Sequence, residues 1–457
     1  MCARGRGMAP RKELPFILDV QELLYHYLTD GIRENHKHHV GIELEFPMVT
    51  TDGRLFNVDT ARSALAAAEK IGFAPLRAAH DGTPLAVRDG DKNVLTFDTC
   101  YENMEFASTS APSLWPLYRR FRETLAAVQQ ELLKGGHCLL GVGYNPFLAK
   151  SQNPHMIESD LTLAIAEYFR HHAGKRHYDK DFYCYISSEQ IHFNTTPEEL
   201  PLIFELFTRI DWLNMLLFAD SPALIAGKKY LCARNELYMR SSFRELGLVG
   251  AQALGTRTAE EIAKTYEDIR LFMHEREGKL TVFPPVSVKD YFASPEAKEE
   301  DIHHLDLERN IVTTSYGTVE YRVLCAQPFD RCFTPSAFNL GLRTVLPEAL
   351  ALARDFDAHH NMPEPNERNR EASTGMCAFA DMRDTLAFAR ELLRLSEKGL
   401  KARGFGEEAM LAPLQSGENL LVSPAARLMR MEKEMGERPA YLTRAALGAG
   451  FVEPAQA

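Results

Sequence analysis

Several short segments of the chain alternate apolar with polar residues, which is the pattern of a β-strand with one face in the core. In VGIELEFPMV, residues 40–49, the apolar side chains alternate with Gly41, Glu43 and Glu45. A strand here places both glutamates on one face and the apolar side chains on the other. The same alternation occurs in QIHFN, residues 190–194, and in TVEYRVL, residues 318–324. These segments predict strands whose polar face carries acids.

Other segments carry the start and stop signals of helices. Residues 114–134 follow Ser113 and end at two glycines, and residues 201–220 form an apolar helix. Thr258, with Glu261 three residues later, predicts a capping box for a helix that runs to about His274.

Turn signals organise the rest of the chain. Tyr316-Gly317 predicts a hairpin between residues 311–315 and 318–327, and Phe182 to Asn194 predicts one strand. Beyond Pro328 the periodicity is helical, apart from the polar segment 361–374, which predicts a mobile loop or a boundary.

Strands and helices do not alternate strictly along the chain, which argues against a doubly wound parallel sheet. We therefore expect an α+β protein with a mainly antiparallel sheet, covered by helices, and a mostly helical C-terminal part. Residues 1–13 predict a flexible leader. Residues 14–457 predict one catalytic unit, in which 40–327 carry the active-site strands and 328–457 form the helical region.

Composition narrows the class of protein. The 457 residues include 52 Lys and Arg against 63 Asp and Glu, a net charge of −11, which argues against a nucleic-acid-binding protein. Charged residues interrupt the most apolar stretch, residues 201–226, so it does not predict a membrane span. The eight cysteines form no CxxC pair, and the N-terminus lacks the apolar core of a signal peptide. We expect a cytoplasmic protein without nucleic-acid or membrane partners; the sequence does not predict its oligomeric state.

Four segments place acidic or metal-binding residues at strand spacing. For any single strand, exposure of a half-buried sheet is the simpler interpretation, and a strand histidine is equally consistent with a structural hydrogen bond. Four such segments favour a shared cation, because neighbouring glutamates repel one another unless something positive lies between them. Mg²⁺ prefers oxygen ligands and is often held by carboxylates together with substrate phosphates. The candidates are Glu43, Glu45, Asp98, Glu105, His192 and Glu320.

The common phosphate-binding loops are absent from the sequence. There is no GxxxxGK[ST] motif, and GVGYNP, residues 141–146, lacks the third glycine of a dinucleotide fingerprint. Metal ions and arginines would then hold phosphate, and Arg234, Arg240 and Arg322 are the candidates. Each of them also fits an ordinary surface or ion-paired arginine.

In this order, GIELEF, the segment from Asp98 to Glu105, QIHFN and TVEYRV resemble the active-site strands of glutamate–cysteine ligases. The resemblance implies a glutamine-synthetase-like funnel formed by a curved antiparallel sheet, which holds ATP, two or three Mg²⁺ or Mn²⁺ ions, and glutamate. It implies metal binding by the six candidates above. We expect Arg322 to stabilise the transferred phosphoryl group, and Arg240 to contact phosphate or the substrate carboxylate. We assign Gln190, Asn194 and Arg234 to cofactor binding.

The activity implied by the resemblance is ATP-dependent formation of γ-glutamylcysteine from L-glutamate and L-cysteine through γ-glutamyl phosphate, the first step of glutathione biosynthesis. The segment CYENMEFASTS departs from many relatives, because it adds Glu102 and lacks glycine. One alternative is a ligase of the same chemistry with another acid or amine. Another is a non-catalytic nucleotide-binding relative. A zinc hydrolase is disfavoured, since carboxylates outnumber histidines and there is no HExxH motif.

Overall fold

The computed structural model describes residues 19–32, 39–79, 82–148, 154–172, 181–305, 307–415 and 420–454. The expected leader, residues 1–13, lies outside these ranges. The strands of the described residues are β1 (Val40–Thr50), β2 (Ala74–Ala78), β3 (Pro84–Arg88), β4 (Val94–Phe97), β5 (Asn103–Ala107), β6 (His137–Leu139), β7 (Ser188–Asn194), β8 (Ala223–Ile225), β9 (Lys228–Tyr230), β10 (Val249–Gly250), β11 (Arg270–Arg276), β12 (Lys279–Ser287), β13 (Glu308–Arg309), β14 (Ile311–Thr313) and β15 (Thr318–Cys325).

One large antiparallel sheet dominates the described part of the chain. Its strand order is β14-β15-β7-β1-β5-β4-β3-β2, and β6 pairs with the far end of β1. The hairpin around Tyr316-Gly317 joins β14 to β15, as predicted. Smaller two-stranded sheets pair β8 with β9, β11 with β12 and, in parallel, β10 with β13. The prediction of a mainly antiparallel α+β fold is confirmed.

Helices surround the sheet and form the regular structure after β15 in the described residues, so the helical C-terminal part is also confirmed. Among all the described residues, no helix is long and apolar enough to cross a membrane. The α-helices are Val20–Thr29, Val58–Glu69, Leu114–Lys134, Asp160–His171, Leu200–Phe218, Ala233–Arg240, Phe243–Leu246, Ala259–Lys264, Val288–Phe292, Thr334–Thr344, Leu346–His359, Pro365–Ala372, Met382–Arg403, Ala412–Gln415, Pro424–Met435 and Glu437–Leu442. The 3₁₀ turns are Phe182–Tyr185, Glu299–His304, Glu407–Leu411 and Thr443–Ala445.

The two faces of β1 follow from its alternating sequence. Ile42, Leu44 and Phe46 are buried, and the Phe46 ring packs edge-on against Phe329 with 4.9 Å between ring centroids. The opposite face carries Glu43 and Glu45. Burial of apolar side chains on one face therefore fixes the register that presents both glutamates on the other.

Two helices meet at a pair of glycines on the C-terminal side. A Cβ atom on Gly341, in Thr334–Thr344, would lie 2.2 Å from the carbonyl oxygen of Ser396 in Met382–Arg403. A Cβ atom on Gly399 would lie 2.0 Å from the carbonyl oxygen of Gly341. This close backbone approach requires glycine at both positions.

The helix predicted from Thr258 to about His274 is wrong in its second half. The Thr258 side chain caps the helix by accepting from the Glu261 amide, but the helix ends at Lys264. Residues 270–276 form β11, which pairs with β12 across Glu277-Gly278, both at positive φ (53° and 76°). That turn geometry suits a tight hairpin, and pairing overrode the helical periodicity.

Two further expectations are corrected. Residues 182–194 do not form one strand, because a 3₁₀ turn, Phe182–Tyr185, precedes β7. The polar segment 361–374 is not a loop: it contains the helix Pro365–Ala372, whose Asn369 is buried and donates to Asp211 at 3.3 Å. Its polar residues have partners on three other helices: Asn369 binds Asp211, Arg368 pairs with Asp357 and Arg370 pairs with Glu236. These partners explain why a polar segment forms a helix here.

Candidate functional site

Three metal-binding side chains converge where β1, β7 and β15 lie side by side. Glu43, His192 and Glu320 each offer a ligand atom within 4.8 Å of the others'. His192 lies opposite Glu320 in the β7–β15 register and diagonal to Glu43 across β1. Its Nε2 lies 3.2 Å from Glu43 Oε1. We call Glu43, His192 and Glu320 the triad.

Neighbouring charges set the protonation of the triad. Burial opposes ionisation of Glu43, but its hydrogen bond to His192 and the charges of His192 and Arg322 lower its pKa to about 2. Burial acts to lower the pKa of His192, and the hydrogen bond and charge of Glu43, with the charge of Glu320, raise it instead. A proton on His192 therefore balances the carboxylates, and a cation bound at this point would take over that role.

Arg322 connects the triad to a second acid. Its guanidinium donates from Nη1 to Glu320 and from Nη2 to Glu308, the latter at 2.5 Å. All three side chains are buried. Burial works against the charge of Arg322, but Glu308 and Glu320 raise its pKa, so it stays charged. The result is a cation fixed on both sides beside the triad.

A β-bulge aims Arg322 at this position. Tyr321 pairs with Ile191 and Leu324 pairs with Glu189, so β15 takes three residue steps against two on β7. On the other side of β15, the Arg322 amide continues the register with β14 and donates to the Asn310 carbonyl at 2.8 Å. Bulges commonly redirect side chains in this way near active sites.

The other predicted ligands lie on the same sheet face in a second group. Glu45 on β1 faces Glu105 on β5 in register. Glu45 accepts from the Ser188 amide at 2.8 Å and from Gln190 Nε2 at 2.9 Å. Asp98 follows β4 and lies beside Asn103, whose Nδ2 is 3.5 Å from Asp98 Oδ2. Among the described residues, none of Glu45, Asp98 and Glu105 belongs to a group of three ligand atoms that lie within 4.8 Å of one another.

The donor set fits hard divalent cations. Glu105 is 0% exposed and Glu45 is 6% exposed, and like charges directly opposite in a sheet destabilise it. Carboxylate oxygens with one imidazole nitrogen suit Mg²⁺ or Mn²⁺. Glu45 and Glu105 are therefore two buried carboxylates that face each other on this side of the sheet.

The remaining candidates occupy different places. Gln190 is bound to Glu45, and the Asn194 carbonyl accepts from Arg343 at 3.1 Å. Arg240 ends the helix Ala233–Arg240 in an ion pair with Glu236 at 2.5 Å. Arg234, on the same helix, lines a cavity with Arg322.

Glu308, the second partner of Arg322, is not among the site residues predicted from the sequence. Glu308 lies in β13, a strand of two residues, which is too short to show alternation. Its position depends on parallel pairing with β10, a contact between distant segments. We find no sequence signal that distinguishes it.

Comparison with known proteins shows the fold but no family. No family model matches the chain, and no curated protein matches its sequence. The structure is similar to a bifunctional glutathione synthetase from Pasteurella multocida, with a TM-score of 0.57 and 13% identity. The two chains share a fold. The match covers 93% of this chain and 52% of the other, so this chain spans about half the length of that enzyme.

Two further solved structures are similar to a lesser degree. One is glutamate–cysteine ligase from Francisella tularensis in complex with AMP, with a TM-score of 0.49 and 12% identity, covering 90% of this chain and 88% of that one. The other is the complex of the prokaryotic ubiquitin-like protein Pup with its ligase PafA, with a TM-score of 0.41 and 10% identity, covering 92% and 74%.

Proposed function

We propose that the protein is an ATP-dependent carboxylate–amine ligase. The observation that carries this proposal is the buried acidic face of the sheet, where the triad, the facing pair Glu45 and Glu105, and the fixed guanidinium of Arg322 lie together. Such a face brings oxygen ligands and a fixed cation to one place, which phosphoryl transfer to a carboxylate requires.

Each group of residues has a distinct part in this reaction. Glu43, His192 and Glu320 would hold one cation, and Glu45, Asp98 and Glu105 would hold further cations. Bound Mg²⁺ would neutralise the negative charge of a carboxylate and a triphosphate that approach each other. Arg322, held by Glu320 and Glu308, would contact the transferred phosphoryl group with no need to reorganise. Arg240 would contact the same phosphoryl group only after its side chain left the ion pair with Glu236.

The chemistry has two balanced steps. A carboxylate oxygen attacks the γ-phosphorus of ATP, the bond to ADP breaks, and an acyl phosphate forms. The amine nitrogen then attacks the acyl carbon, phosphate leaves with the bonding electron pair, and the amine gives up a proton. Exclusion of water from the occupied site would protect the acyl phosphate from hydrolysis.

For substrates we propose L-glutamate and L-cysteine, which would yield γ-glutamylcysteine for glutathione synthesis in the cytoplasm. The order of the four acidic strand motifs supports this choice, and so does the fold shared with an enzyme named as a glutathione synthetase. We also propose that residues 14–457 act as one catalytic unit.

The test is ADP release by the purified protein with ATP, Mg²⁺ and L-glutamate, with and without L-cysteine, and mass spectrometry of the product. We expect cysteine-dependent ADP release and γ-glutamylcysteine. Glu189→Gln is the matched control, because Glu189 lies on β7 but points to the opposite face, where Ser336 binds it. Release with a different acid or amine would refute the substrates and keep the ligase. Failure with every acid and amine tried would refute the ligase.

A further inference from the structure

The second step of the proposed reaction needs a group that accepts a proton. An amine substrate enters as an ammonium group at neutral pH, and its nitrogen attacks the acyl phosphate only after a proton has left it. A positioned general base commonly accelerates such a step by about 10²–10⁴-fold. A carboxylate that binds a cation is a poor base, so the predicted metal ligands of the acidic face do not suit this task.

A histidine and a buried glutamate form a pair next to this face. His155 Nδ1 lies 2.6 Å from Glu102 Oε1, and the His155 backbone amide donates to Oε2 of the same carboxylate at 3.1 Å. The Glu102 side chain is 3% exposed, and the His155 side chain is 36% exposed. An ionised carboxylate only accepts hydrogen bonds, so Nδ1 carries the proton of the neutral imidazole and Nε2 keeps the lone pair. Glu102 thus fixes both the position and the tautomer of His155.

Backbone pairing joins His155 to the loop that carries Asp98, a predicted metal ligand. Residues 155–157 run antiparallel to residues 99–101, which directly follow Asp98. The Tyr101 amide donates to the His155 carbonyl at 3.0 Å, and a second backbone hydrogen bond of 3.0 Å joins the other end of the two segments. His155 therefore has a fixed position relative to that loop.

Glu102 is bound in turn to β1, the strand that carries Glu43 and Glu45. The Glu102 carbonyl accepts from the Met48 amide at 2.7 Å. Met48 lies three residues beyond Glu45, which corresponds to about 10 Å along a strand. The pair therefore lies at the edge of the acidic face, at a distance that a bound acyl phosphate and its amine can span.

The other imidazoles of the sheet are engaged. Among the described residues of its strands, the histidines are His137 and His192, and His192 belongs to the triad. His137 uses both ring nitrogens, because Nδ1 lies 3.0 Å from the Gly135 carbonyl oxygen and Nε2 accepts from the Asn57 amide at 3.0 Å. His155 differs, since its Nε2 makes no hydrogen bond within the part of the chain that the structure describes.

We propose that His155 is the general base that deprotonates the amine substrate, and that Glu102 is its positioning residue. The inference rests on the proposed function and supplies the proton acceptor of its second step. His155 Nε2 takes a proton from the ammonium group, which frees the lone pair of the nitrogen. That lone pair forms the bond to the acyl carbon. Phosphate leaves with the electron pair of the broken bond and takes a second proton from the nitrogen, and the imidazolium returns its proton to water.

The test compares two nucleophiles on the full chain. The amine that supports ADP release by wild type, L-cysteine or another, enters as an ammonium ion and needs the base. Hydroxylamine is largely unprotonated at neutral pH and does not need it. The rate of ADP release is measured with ATP, Mg²⁺, L-glutamate and a saturating concentration of either nucleophile.

The variants keep the hydrogen bonds and remove the base. In His155→Asn, the asparagine amide can donate to Glu102 as Nδ1 does. His359→Asn is the matched control, because His359 is exposed and its Nδ1 also bonds an oxygen, the carbonyl of Asp355 at 2.7 Å.

We expect kcat with the amine to fall at least about 100-fold in His155→Asn, and kcat with hydroxylamine to stay near that of wild type. Glu102→Gln should show the same difference between the nucleophiles, with a loss of about 10- to 100-fold for the amine, as for other carboxylates that orient a histidine. The control should match wild type with both nucleophiles.

Two results would overturn the proposal. An equal loss with both nucleophiles in His155→Asn would show that His155 only holds the loop of Asp98 in place. A normal kcat with the amine would show that the base lies elsewhere. If circular dichroism shows that His155→Asn is unfolded, His155→Gln is measured in its place, and failure of both to fold would assign His155 a structural role and overturn the proposal.

The two nucleophiles also separate this proposal from the proposed function. If wild type releases no ADP with any amine or with hydroxylamine, the ligase fails, and the role of His155 fails with it. If wild type releases ADP with both nucleophiles and His155→Asn loses both rates equally, the general base fails and the ligase stands.

Discussion

Glu320→Gln is the most direct perturbation of the triad. The change removes one negative charge and keeps the size of the side chain. Arg322 loses a charged partner but keeps Glu308, and Glu43 keeps His192. We therefore expect a folded protein that binds Mg²⁺ poorly and does not turn over.

The size of the effect follows from the contacts. A hydrogen bond between charged groups contributes about 1.5–3 kcal/mol, and the glutamine oxygen keeps part of it, so the unfolding free energy should fall by about 2 kcal/mol or less. With an unfolding entropy of about 2.1 cal/mol/K per residue, 457 residues give about 1 °C in melting temperature per kcal/mol. The metal-free variant should melt within about 2 °C of wild type on that scale.

Loss of metal binding changes the melting temperature by a similar amount, but only when Mg²⁺ is present. Mg²⁺ at a hundredfold excess over its dissociation constant stabilises the folded state by about 2.7 kcal/mol, or about 3 °C here. If loss of a ligand raises the dissociation constant about 100-fold, the same Mg²⁺ gives about 0.4 kcal/mol, a shift of less than about 1 °C.

The assay is thermal unfolding over a Mg²⁺ titration, with ADP release measured on the same samples. Glu189→Gln again serves as the control and should keep both the Mg²⁺ shift and the activity. A full Mg²⁺ shift in Glu320→Gln would refute the metal assignment. Normal turnover in that variant would refute the role of the triad as a whole.

Three more predictions follow from other parts of the structure. Burial, opposed by nearby amide and hydroxyl donors, raises the pKa of Asp211 to about 7. Between about pH 4 and 7 the folded state therefore holds a proton that the unfolded state has lost. The free energy of unfolding should fall as the pH rises through this range, by up to about 1.4 kcal/mol per pH unit. The melting-temperature advantage of wild type over Asp211→Asn should narrow across that range, and a constant difference would contradict this. Gly341→Ala should destabilise by about 1–3 kcal/mol in denaturant unfolding, whereas Gly90→Ala, with open space around it, should not. Glu105→Gln should lower the rate of ADP release at least about 100-fold with unchanged circular dichroism, and near-normal turnover would show that this carboxylate is not a ligand.

Local patterns in the sequence were sufficient where neighbouring residues decide the structure. The alternation in residues 40–49 predicted the two faces of β1, because strand geometry places every second side chain on one side. Tyr316-Gly317 predicted a hairpin because a turn depends on few residues. The helix predicted over residues 270–276 was wrong, because pairing with β12 outweighed the helical periodicity of this segment.

For the site, the sequence determined which side chains share the polar face, and the tertiary structure decided how they group. The strand order β15-β7-β1 brings Glu43, His192 and Glu320 together. Glu45 instead lies opposite Glu105 on β5, the strand that borders β1 along its other edge. That order comes from contacts between segments far apart in the chain, which no local pattern encodes. The bulge after Tyr321 and the pairing of Glu308 with Arg322 depend on those same contacts, because burial and charge pairing exist only once the chain has packed.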